Sequence, residues 1–162
     1  MMKEQLEKAL QFRSEGEFAA SNHILVELVK LYPQDALVNY QCAWSFDVLG
    51  REREAIPFYE KAVSLGLAGE DLEGALLGMG STYRTLGEYE SSHHTFRKGM
   101  ELFPDNRAMK VFYAMTLYNL QQHPQAMEIL LQCIAESSSD SEIQKYKRAI
   151  LFYSDQLDKV WE

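Results

Sequence analysis

An all-α array of helical hairpins is the fold class this sequence predicts, on three observations. Apolar residues recur at three- and four-residue steps in short segments, the spacing of helix faces. Glycines and prolines are few, 9 and 4, and the clear ones fall at segment boundaries, as expected of mostly helical proteins. The segments also repeat. Gly16 to Gly50 is 34 residues, Gly50 to Gly87 is 37 and Gly87 to Gln121 is again 34, and a fixed period of this length marks a repeat architecture.

The same offsets align the packing positions of four units, at about 2–35, 36–69, 73–106 and 107–138. A small residue where helices approach closely is Ala9, Ala43, Gly80 and Ala114, and three residues on stands a large one, Phe12, Phe46, Tyr83 and Leu117. Beyond the break the small residue is Ser21, Ala55, Ser92 and Ala126, followed by the bulky Leu25, Tyr59, Phe96 and Leu130. Leu28, Ala62, Gly99 and Cys133 come next, then Val29, Val63, Met100 and Ile134, with Pro33 and Pro104 closing the first and third units. Small residues let backbones approach to about 8–9 Å, and large ones from the facing ridge fill the groove beside them.

The three extra residues of the second interval fall in SLGLAGEDLEG, which holds Gly66, Gly69 and Gly74. They predict a longer loop or an added turn at the front of the next helix, with Glu70 or Asp71 in that turn to complement the helix dipole. After the fourth unit a polar run reads as a loop with a capping box from Ser139 to Glu142. Ile143, Tyr146, Ile150, Tyr153, Leu157 and Val160 then predict one helix over about 141–161, covering the exposed end of the last repeat. The whole, residues 1–162, is expected to form a single domain.

Composition narrows the function. The chain of 162 residues is 46% hydrophobic and 25% charged, the make-up of a soluble globular protein. A net charge of −8 and pI near 5.0 argue against nucleic-acid binding, which needs clustered Lys and Arg. The N-terminus lacks the apolar core and cleavage site of a signal peptide, and no stretch approaches a membrane span, so a cytoplasmic protein without membrane contact is expected. Cys42 and Cys133 lie far apart inside helical patterns and read as two buried small hydrophobes rather than a disulfide.

The alternation of small and large columns, with Leu76, Gly80, Tyr83, Gly87, Tyr89, Phe96 and Pro104 in the third unit, resembles the tetratricopeptide repeat (TPR) family. The resemblance covers about 2–136 plus a C-terminal solvating helix. The tryptophan that often opens the family's repeat is replaced by Gln5, Asn39, Leu76 and Lys110, and the first unit has Lys8 where an apolar residue is usual. The fourth unit lacks both the break glycine and the closing proline.

What the resemblance implies is a right-handed superhelix whose concave face is lined by the first helix of each hairpin. Carried over, that face holds Leu6, Leu10 and Arg13, then Tyr40, Trp44 and Asp47, then Leu77, Ser81 and Arg84, and finally Val111, Met115 and Tyr118. Trp44 and Tyr40 either anchor a partner, as exposed aromatic residues do at interfaces, or pack against a neighbouring repeat. Arg13 and Arg84 either grip a carboxylate or backbone carbonyl or stay solvated or paired with Asp47. The clamp with which some TPR proteins hold acidic chaperone tails has no counterpart, since Leu6, Leu10, Gln41, Gly74 and Gly78 stand at its places.

The expected function is therefore a non-enzymatic protein–protein interaction module, binding a peptide or helical segment in an apolar, aromatic-lined groove. A self-associating structural or regulatory subunit of a larger complex is the alternative, and a homodimer through the groove is the main competitor. No cofactor, metal or catalytic residue is expected. His93 and His94 are adjacent and diverge by about 100° on a helix, His23 and His123 read as surface histidines, and the glycine-rich stretches follow no strand and so are not phosphate loops.

Overall fold

The computed structural model describes residues 1–161, which form two compact units, Met1–Glu88 and the chain from Tyr89 onward. The first unit holds five helices: α1 (Met2–Ser14), α2 (Phe18–Leu31), α3 (Ala36–Asp47), α4 (Glu52–Ser64) and α5 (Gly69–Thr85). Each packs on the next, and α3 also touches α5. The second holds α6 (Tyr89–Leu102), α7 (Arg107–Asn119), α8 (His123–Ser137) and the short α9 (Ser141–Lys145) and α10 (Lys147–Tyr153). There α7 packs on α6 and α8, and α10 packs on α8. Among the described residues no helix is long and apolar enough to cross a membrane.

The hairpin turns follow one backbone solution. At each break a residue takes positive φ, Gly16 (82°), Gly50 (68°), Gly87 (78°) and Gln121 (62°). The next N–H donates back to the carbonyl of the large-column residue: Glu17 to Phe12, Arg51 to Phe46, Glu88 to Tyr83 and Gln122 to Leu117, at 2.8–3.0 Å. This is the paired-bond helix stop that a left-handed residue makes. Three of the four units supply glycine there, but Gln121 carries a side chain whose Cβ crowds the backbone. Replacing Gln121 by Gly should therefore raise the stability of the second unit by up to about 1 kcal/mol, the relief of strain outweighing the added chain entropy. Urea titration of both proteins checks this, and a loss of stability would refute it.

Helix starts are equally local. The Asp35 carboxylate accepts from the Val38 N–H at 2.8 Å, and the Asn106 side-chain oxygen accepts from the Met109 N–H at 2.8 Å. In the third unit the same register falls on Leu72, but α5 starts at Gly69 and runs 17 residues against 12 and 13 for α3 and α7. The insertion thus becomes an added turn, with Glu70 and Asp71 in it. Pro57 lies inside α4 rather than at a boundary. Its position is exposed, so water can meet the carbonyl its missing N–H leaves free.

The core follows the columns. Ala9, Ala43, Gly80 and Ala114 are buried, as are Leu25, Tyr59 and Phe96. A polar column joins successive hairpins: Asn22 Nδ2 donates to Ser45 Oγ at 2.9 Å, and Thr116 Oγ1 shares a 2.9 Å hydrogen bond with Ser92 Oγ. The columns thin out in the fourth unit, where Leu130 is half-buried and Ile134 is 46% exposed.

The C-terminal segment differs from the single helix expected over 141–161. Asp140, not Ser139, caps α9, accepting from the Glu142 and Ile143 N–H groups at 3.0 Å. The helix breaks at Tyr146 and ends at Tyr153. The expected stripe is only partly covered: Ile143 and Ile150 are half-buried, whereas Tyr146, Tyr153, Leu157 and Val160 are exposed. A periodic stripe gives a long helix only when a partner surface covers it; here α10 packs on α8, and α9 is tied to it where Gln144 Nε2 donates to the Ala135 carbonyl at 3.2 Å. Beyond α10 the Ser154 hydroxyl turns back to the Leu151 carbonyl at 2.9 Å, a local bond that competes with helix continuation. Phe152, Tyr153 and Trp161 instead cluster, with ring centroids 5.1–6.3 Å apart.

Candidate functional site

Within the first unit, α1, α3 and α5 each place candidate side chains at three- and four-residue steps, on one face of each helix. Leu6 and Tyr40 are buried. Leu10, Arg13, Asp47, Leu77, Ser81 and Arg84 are half-buried, and Trp44 is 40% exposed. Aromatic packing organises the centre. Tyr40 stacks on Trp44 with centroids 6.0 Å apart and planes at 22°, and lies 6.3 Å from Tyr59. The tyrosine hydroxyls need room, and two glycines of α5 provide it. A Cβ on Gly74 would collide with the Tyr40 hydroxyl, and one on Gly78 would lie 2.8 Å from Tyr59 Cζ. The two glycines are therefore seats for aromatic rings.

Asp47 is bound by its own unit. Tyr59 Oη donates to its carboxylate at 2.5 Å, and Thr82 Oγ1 lies 2.8 and 2.9 Å from the two oxygens. Thr82 Oγ1 is also 2.7 Å from the Gly78 carbonyl, but its single proton favours the stronger charged acceptor. Burial pushes the Asp47 pKa up, and the two hydroxyl bonds oppose that shift. The same burial, with the carboxylate alongside, pushes the Tyr59 hydroxyl up. The node ties α3, α4 and α5 together.

Arg13 does not pair with Asp47. Its guanidinium carbon lies over the Trp44 ring, 3.7 Å from the centroid, and desolvation there lowers its pKa. Such a stack is worth about 0.5–2 kcal/mol. The Cys42 thiol, buried on α3, is pushed up to about 12 by desolvation; a thiol held so far from its thiolate is unreactive.

In the second unit α7 carries the other three candidates. Val111 is half-buried, while Met115 and Tyr118 are exposed, Tyr118 at 62% with its ring 4.7 Å from that of His123. Sequence reasoning missed the roles of Tyr59 and Thr82. The signal was there for Tyr59, the one residue of its column with a hydroxyl. Nothing linear pointed to Thr82, 35 residues from its partner Asp47.

Comparison with known proteins places these hairpins. Residues 36–157 match the family described as tetratrico peptide repeat. Among solved structures, MamA 41-end from Desulfovibrio magneticus RS-1 superposes with TM-score 0.76 at 12% identity, over 97% of this chain and 88% of that one. A putative kinesin light chain of Podosopora anserina with nearly identical TPR-like repeats gives 0.72 at 14% identity, over 97% and 86%. The Cut9–Hcn1 hetero-tetramer of the APC/C gives 0.75 at 17% identity, over 95% of this chain and 30% of that one. At such identities the likeness shows the fold, an all-α solenoid of helical hairpins. With a match that spans most of its length and helical hairpins turning on one repeated backbone stop, the chain belongs to the tetratricopeptide repeat family.

Proposed function

We propose that this protein is a non-enzymatic, cytoplasmic interaction module of one domain that captures a peptide or helical segment of a protein partner. Arrays of this family serve as interaction scaffolds built on extended surfaces. The observation that carries the reading is Trp44. It is the one aromatic ring of the Tyr40–Trp44–Tyr59 group left exposed, while its two neighbours are buried. An exposed indole backed by a packed floor is the arrangement of an interface anchor, since binding covers much area and orders few new rotamers. Leu10, Leu77 and Ser81 add partner contacts in this reading, and Arg13 and Arg84 set orientation. In the second unit Met115 and Tyr118 make partner contacts of their own, beside Val111.

Trp44→Ala should weaken partner binding by about 2 kcal/mol or more, roughly thirtyfold, the size of an interface anchor, with the fold retained. The check is quantitative pull-down against host lysate, with circular dichroism on the variant and Tyr118→Ala alongside. An unchanged partner set in both folded variants would sink the groove reading.

The alternative is a self-associating or regulatory subunit of a larger complex. Cut9–Hcn1 is itself a hetero-tetramer, and the second unit here exposes Phe152, Leu157, Val160 and Trp161. Sedimentation at several concentrations separates the two, because a concentration-independent monomer removes the homodimer.

A further inference from the structure

We infer that Arg13, held on Trp44, is a receptor for a single carboxylate carried by an otherwise apolar peptide. This rests on the groove reading above and names the chemistry of its occupant.

The starting point is an unmet donor. Arg13 Nη1 is shut off from solvent, yet no acceptor among the described residues reaches it. A guanidinium has five N–H donors in a rigid plane, and a buried donor of a charged group left without an acceptor is costly. The acid on the facing column of α3 does not answer it, because Asp47 is taken by the Tyr59 and Thr82 hydroxyls. The chain thus presents a cation at the aromatic face and spends its nearby carboxylate elsewhere.

The shape of the group selects the ligand. Contact with Trp44, Cζ 3.7 Å from the ring centroid, holds the guanidinium at the aromatic face, and Nε and Nη2, which are not shut off as Nη1 is, remain to meet a partner. That edge matches a carboxylate in two parallel hydrogen bonds, which a backbone carbonyl cannot form. The aromatic floor and the half-exposed indole favour apolar neighbours on either side of the acid.

Overall charge then limits the number of acids. The protein carries −8, so a run of carboxylates is repelled at distances up to the screening length of about 8–10 Å. One carboxylate in contact with Arg13 gains a local, partly desolvated attraction that outweighs this repulsion. A polyacidic tail does not fit; an apolar segment with one acid does.

The test uses three matched libraries of 12-residue apolar peptides: amidated with a central Glu, amidated with a central Gln, and central Gln with a free C-terminus. Binding is read by fluorescence anisotropy against wild type, Trp44→Ala, Arg13→Gln and Arg13→Lys, each checked for its fold by thermal melting. Peptides with a carboxylate, central or terminal, should bind about tenfold tighter or better than the amidated Gln set. Arg13→Gln should erase that preference, so that this variant binds carboxylate and amidated Gln peptides alike. Arg13→Lys, which keeps charge but not the fork, should retain only part of it and decides the matter if Arg13→Gln does not fold. Trp44-dependent binding with no carboxylate preference, or with a preference that both Arg13 variants keep, overturns the inference and leaves the groove standing. No Trp44-dependent binding from any library overturns the groove, and the inference with it.

Discussion

Tyr59→Ala is expected to destabilise the first unit by about 3–5 kcal/mol, the range for deleting a fully buried aromatic ring. The ring is 1% exposed and packs against Tyr40, with its hydroxyl over Gly78. Truncation removes that contact area and leaves a cavity that rigid helices on three sides cannot close. It also strips Asp47 of one of its two hydroxyl donors, leaving a half-buried carboxylate held by Thr82 alone. Tyr59→Phe separates the parts. It keeps the ring and loses only a bond to a charged acceptor, about 1.5–3 kcal/mol. Urea unfolding of both variants, followed by circular dichroism, gives the comparison. Equal losses would mean that the hydroxyl, not the ring, carries the effect.

Phe96→Ala is expected to cost the second unit about 3–5 kcal/mol, while Leu130→Ala, at the same register one unit on, costs about 1–2 kcal/mol. The repeat alignment treats the two as equivalents. Burial does not: Phe96 is 0% exposed and its ring sits 6.5 Å from Tyr113, whereas Leu130 is only half-buried on α8. Deleting a side chain that water already reaches forfeits less transfer energy and leaves no closed cavity. Thermal unfolding of the two variants decides it, and similar losses would show that register rather than burial sets the energetics.

These two residues also show how far the sequence could be read. The small and large columns are local steric requirements of helices that pack closely, so Ala43, Gly80, Phe46 and Tyr83 are legible from spacing. The breaks are legible because left-handed backbone favours glycine, and the fourth break was found at Gln121 by register alone. The C-terminal helix was misjudged for a related reason. Its stripe satisfied the periodicity test, but periodicity says which face is apolar, not whether anything covers it.

The candidate site was legible as a set of positions and not as a set of interactions. Arg13, Trp44 and Asp47 could be put on one side of their helices from numbering, but whether Arg13 met Asp47 or Trp44 could not. That choice turned on hydroxyls of Tyr59 and Thr82, one catalogued as core and the other 35 residues along the chain.

By itself the sequence determined the helices of the four repeats, their hairpin turns and the columns that build the core, because each is fixed by short-range sterics repeated at a near-constant offset. The tertiary structure alone decided which polar groups satisfy one another. It seated Tyr40 and Tyr59 over Gly74 and Gly78, gave Asp47 to two hydroxyls and left Arg13 stacked on Trp44 with a donor unmet. Hydrogen bonds are set by distances of a few tenths of an ångström between remote segments, and only the packed helices fix distances on that scale.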